Sequence, residues 1–72
     1  MNELFDMGEC LSPRLRWMRD NGIRSYYNPD RTQAWQAITT WHGVEVSERG
    51  DTEDEALVAI ALRLRIKLWN EL

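Results

Sequence analysis

His42 and Cys10 are the chain's single histidine and single cysteine, so they are the only residues from which a classical nucleophile and base pair could be drawn. His42 precedes Gly43 in what reads as a hairpin tip, and Cys10 lies in an N-terminal stretch with no firm periodicity. The two are far apart in sequence, and the expectation is a solvated turn histidine and a small buried thiol. No glycine-rich phosphate loop is present. The one acidic cluster, Asp51, Glu53, Asp54 and Glu55, does not have the spacing of a calcium loop. The sequence therefore predicts a protein that is not an enzyme and carries no cofactor or metal.

Two other groups of residues suit binding. Arg14, Arg16, Arg19 and Arg24, with Arg31 and the rings of Tyr26 and Tyr27 nearby, combine positive charge with surfaces that stack, which a nucleic-acid contact requires. The alternative is that these arginines line the solvated side of a helix and pair with acids. Glu53 and Asp54, with their acidic neighbours, either cap a helix and complement its dipole or present a charged surface to a basic partner. A third group is apolar. Val58, Leu62 and Trp69 form a second stripe beside the core stripe of the last helix. Trp17 lies off the face of Leu15 and Met18, as a core-rim residue or an exposed anchor.

The elements that must hold these groups are legible in order. Ser12-Pro13 opens a helix, since serine caps well and proline is favoured at the first helical position. Leu11, Leu15 and Met18 point one way, and Asn21-Gly22 ends the helix near residue 21 with Ile23 placed for a hydrophobic contact. Residues 23–27 read as strand one, closed by the turn signal Asn28-Pro29-Asp30. Residues 34–41 alternate in the period of a half-buried strand. A two-residue loop at His42-Gly43 sets Trp41 opposite Val44, Thr39 opposite Val46 and Ala37 opposite Glu48. The face carrying Trp35, Ala37, Thr39, Trp41, Val44 and Val46 is the one helices should cover. Thr52 and Glu55 form a capping box opening a last helix over 50–69, with Leu57, Ile60, Ala61, Leu64 and Leu68 as its core stripe.

The fold class that follows is α+β in the order α-β-β-β-α: a three-stranded antiparallel meander with two helices packed on one face. One domain spans 1–72, with an N-terminal segment over 1–11 and the α-β-β-β-α core over 12–69. Leu4, Phe5 and Leu11 of that segment either cover the second stripe or leave it as an interface. The composition is that of a globular chain, with 43% apolar and 29% charged residues. A formal charge of -3 disfavours non-specific phosphate binding and leaves room for a local basic face. One cysteine allows no internal disulfide and suits a reducing cytosol. The start MNELFDMGEC does not read as a signal peptide, and no apolar run approaches the roughly 20 residues that span a bilayer.

Two resemblances attach to these residues. The order of elements, with Ser12-Pro13, Gly22-Ile23 and a last helix opening after Gly50 through Glu55-Ala56, resembles the double-stranded RNA-binding domain. That resemblance implies RNA binding through lysines at the start of the last helix, where this chain has Glu53, Asp54 and Glu55. From Trp35 onward the chain resembles small bacteriophage or prophage accessory proteins of helix-sheet-helix sandwich type, on Trp35, Ala37, Gly50, Asp51, Thr52, Glu55 and Ala56. This second resemblance implies a phage or prophage accessory protein, some relatives of which bind and block host defence systems in the anti-CRISPR manner; with the composition, the expectation is a small acidic protein, cytoplasmic in a bacterial host. The leading expectation is thus a binder of a host protein complex, or of its own copy through the C-terminal helix. Its contact residues are Trp17, Val58, Leu62 and Trp69, with Glu53 and Asp54 as the electrostatic complement. The runner-up is a nucleic-acid module using Arg14, Arg16, Arg19 and Arg24.

Overall fold

A computed structural model describes residues 12–71. Helix α1 covers Pro13–Asp20, strands β1, β2 and β3 cover Arg24–Tyr27, Trp35–Trp41 and Val44–Gly50, and helix α2 covers Glu53–Leu64. A short 3-10 turn follows at Trp69–Glu71. The sheet is antiparallel in the order β1-β2-β3, and both helices pack against it, giving the α-β-β-β-α architecture expected from the sequence.

Local chemistry explains the boundaries of α1. The Ser12 hydroxyl accepts from the Leu15 amide at 3.2 Å, with proline at the first helical position. At the other end, Gly22 takes φ +65°, the Ile23 amide donates to the Met18 carbonyl at 2.8 Å and the Gly22 amide to that of Arg19 at 3.1 Å. These two bonds are the pair that closes a helix through a left-handed residue. Ile23 is then buried beside Met18 in the core, so the strand begins one residue later than the sequence suggests.

The hairpin register is the one read from His42-Gly43: Trp41 pairs with Val44, Thr39 with Val46 and Ala37 with Glu48. His42 at φ 52° and Gly43 at φ 79° give the paired positive angles of a type I′ loop, whose twist suits the strands it joins. Ala37 and Thr39 are buried beneath the helices, with Leu57 and Ile60 of α2 as the largest fully buried side chains. Thr39 is the polar member of this interior, and its hydroxyl donates to the Gly22 carbonyl at 2.9 Å, tying the sheet to the end of α1. The covering stops short of the hairpin. Val44, expected inside, is 62% exposed because neither helix reaches that end of the face.

Gly50 joins sheet to helix. A Cβ there would stand 2.6 Å from the Ala56 amide nitrogen and 2.7 Å from the Glu55 Cβ, so only glycine lets α2 begin this close to β3. The capping box forms as read: Thr52 Oγ1 accepts from the Glu55 amide at 3.1 Å, and the Glu55 carboxylate accepts from the Asp51 amide at 3.0 Å.

The last helix is shorter than its apolar pattern suggests. It ends at Leu64, because Arg65 turns left-handed at φ 61° and the Ile66 and Arg65 amides donate to the carbonyls of Ala61 and Leu62. Residues 66–68 leave the helix, and the chain returns across α1. Leu68 and Trp69 therefore do not extend the helical stripes, although both pack on the core with Ile66.

Candidate interaction site

The residues proposed for contact are distributed by this return of the chain. Trp17 is neither rim nor anchor: it is 3% exposed and belongs to the core. Its indole N–H donates to the Lys67 carbonyl at 2.7 Å, and its ring meets that of Trp69 edge-on with centroids 5.2 Å apart. The signal that misplaced it was the periodicity of α1 alone, since the surface that buries it arrives from fifty residues away. Leu15, expected to face inward, is partly exposed instead, while Met18 is buried as expected.

Val58, Leu62 and Trp69 do not form one continuous stripe. Trp69 sits in the 3-10 turn, half-buried. Val58 and Leu62 remain one turn apart on α2, Val58 half-buried and Leu62 74% exposed. Burying a leucine is worth about 1.5–3 kcal/mol, so Leu62 is the apolar side chain of the described residues with most to gain from a partner. The segment expected to cover it, 1–11, with Cys10, lies outside the described residues.

The acids and the arginines meet each other. Arg14 lies 2.6 Å from an Asp54 oxygen and 3.2 Å from a Glu53 oxygen, and the second Glu53 oxygen accepts from the Ser25 hydroxyl at 2.5 Å. A residue nominated for nucleic acid thus neutralises two nominated for a basic protein partner, and together they clamp α1 to the start of α2. The hydrogen bond to Asp54 holds the Arg14 guanidinium above its ordinary pKa. Its Nε is buried without a hydrogen-bond partner, the cost of presenting both terminal nitrogens to the carboxylates.

The four arginines do not form one surface. Arg19 stands 3.6 Å from Asp20, and Arg16, exposed on the same helix, is also engaged. Arg24 projects from the sheet face opposite to the helices: its neighbour Ser25, which touches α2, points the other way along the pleat. Tyr26 shares the outer face with Arg24, whereas Tyr27 lies on the inner one beside Trp35, ring centroids 5.1 Å apart.

No family model, curated protein or solved structure matches the chain. His42 is exposed at the hairpin tip with its ring edge-on to Trp41 at 5.4 Å. Among the described residues no three His, Cys, Asp or Glu side chains come together to hold a metal ion. No helix among them is long and apolar enough to cross a membrane. What the arrangement offers chemically is an apolar contact on α2, flanked at the helix start by Asp54, which keeps most of its side chain in solvent while bound to Arg14.

Proposed function

We propose that the protein acts by binding another protein through the outer face of α2, as a non-enzymatic accessory protein. The exposure of Leu62 supports this reading most directly. A domain of this size has little apolar surface to spare, and leucine placed in water one turn after half-buried Val58 is a costly choice unless something covers it. Arg14 offsets part of the charge of Glu53 and Asp54 at the other end of the helix, and Asp51 and Glu55 beside them leave that end net negative, which a basic partner surface would meet.

The resemblance carried by Trp35, Ala37, Gly50, Asp51, Thr52, Glu55 and Ala56 supports placing this binder among phage or prophage accessory proteins, cytoplasmic in a bacterial host. The partner is then a host defence complex, and binding blocks it. A plaque assay tests this. Expressed in cells whose CRISPR-type or restriction defence targets an incoming phage, the protein raises plating efficiency, and Leu62→Asp removes the gain while leaving the circular dichroism unchanged. Plating that stays low with the unmodified protein against each defence overturns the inhibitor reading. Full rescue by Leu62→Asp overturns the α2 contact.

The nucleic-acid reading has less support in the geometry, because Arg14, Arg19 and Arg24 point to different surfaces and two of them are occupied by acids.

A further inference from the structure

Strand β3 is an edge of the sheet, and its charge pattern is self-complementary. In a two-residue type I′ hairpin the residues flanking the loop form a hydrogen-bonded pair, and such pairs alternate along an antiparallel ladder. With Trp41 opposite Val44, the residues Val44, Val46, Glu48 and Gly50 turn their amides and carbonyls toward β2. Glu45, Ser47 and Arg49 therefore aim theirs away from β2, along an edge that is open among the described residues. Their side chains lie on the outer face, level with Thr40, Ile38 and Gln36. The edge reads Glu, Ser, Arg at alternate positions.

We propose that two copies of the chain pair through β3, antiparallel about Ser47, joining two three-stranded sheets into one of six strands. In this register Glu45 stands directly opposite the partner's Arg49, Arg49 opposite the partner's Glu45, and Ser47 opposite its own copy. Both ion pairs lie on the outer face and all three outward residues use their backbone groups. Slipping by two residues in either direction sets Glu45 or Arg49 against serine and loses both pairs; slipping further opposes like charges. The complementarity thus selects one register and one occupant, a second copy. Among the described residues Glu45 has no ion pair and Arg49 makes only a long 3.4 Å contact to Gln36, so both can meet a partner strand. Edge β1 offers no such match, since Arg24 is its one charged residue.

The helices are compatible with this joining. Arg63 reaches across to Glu48 of β3 at 2.6 Å, which places the Arg63 flank of α2 toward the open edge. One turn earlier on that flank is Ala59, small enough for a second helix to approach. Leu62 is on neither sheet edge, so pairing through β3 leaves the α2 contact of the preceding subsection free, and either can fail alone.

Sedimentation equilibrium of the full chain over a concentration series provides the test. The expected result is a species of twice 8.5 kDa, with Glu45→Arg or Arg49→Glu each weakening the dimer about tenfold or more by setting like charges face to face at both symmetric positions. The double variant Glu45→Arg with Arg49→Glu recovers it, because the swap restores opposite charges. Ser47→Pro, which blocks an outward amide that the monomer does not use, gives a folded monomer. A chain that stays monomeric at all concentrations overturns the proposal. So do single reversals that leave the dimer as tight as before, or a double variant no tighter than the singles, since association then runs through another surface such as α2.

Discussion

The indole N–H of Trp17 donates to the main-chain carbonyl of Lys67 at 2.7 Å, across 50 positions of sequence. This bond, with the Trp69 ring 5.2 Å away, fixes the returning C-terminal stretch over α1. Trp17→Phe keeps a large ring in place and deletes the donor, leaving the Lys67 carbonyl without its partner. A loss of about 1–3 kcal/mol is expected from urea denaturation. Unchanged stability would show that water replaces the indole at no cost.

Gly50 leaves no space for a side chain. Gly50→Ala forces the start of α2 away from β3, since backbone and Cβ atoms, not flexible tips, stand in the way. The expected cost is about 1–3 kcal/mol, visible as a lower melting temperature, and Gly50→Val should be worse. A neutral alanine would mean that the joint slides freely.

Arg65 occupies the left-handed conformation at φ 61° without being glycine. Relief of that strain, offset by the greater freedom of an unfolded glycine, makes Arg65→Gly more stable by up to about 1 kcal/mol. Arg65→Val, whose branched side chain resists this conformation, should be less stable than the parent. Chemical denaturation of the three proteins side by side checks the order.

Arg14 bridges the two helices through Glu53 and Asp54. Because the partners are partly solvated, Arg14→Met should cost no more than about 1 kcal/mol, and the difference from the parent should shrink as salt is added. A larger loss that ignores salt would locate the role of Arg14 in packing of its stem.

Sequence made the local features legible. Ser12-Pro13, the Asn21-Gly22 stop, the His42-Gly43 loop and the Thr52 to Glu55 box each act within a few residues, and each stands where the chain shows it. The register of β2 and β3 followed because a two-residue loop leaves one solution. Non-local features were hidden. Nothing adjacent to Trp17 announces Lys67 or Trp69, and Arg14 meets Asp54 across 40 positions. The end of α2 was also hidden, because Arg65 makes the left-handed turn where a glycine would have signalled it, so apolar spacing through Leu68 and Trp69 suggested a longer helix. Of the contact residues, Leu62 stands in solvent, one of two outcomes the sequence left open, and Trp17 lies in the core because its cover comes from fifty residues away.

The enclosure of Trp17 gives the molecule its own optical gauge. An indole shielded from water emits at shorter wavelength than a wetted one, and Trp17 stays dry only while Ile66 to Trp69 rest on it. Lifting of that stretch, even with the sheet and both helices intact, would redden the emission before any helical signal fell. Fluorescence and circular dichroism recorded together would then separate peeling of the tail from melting of the whole.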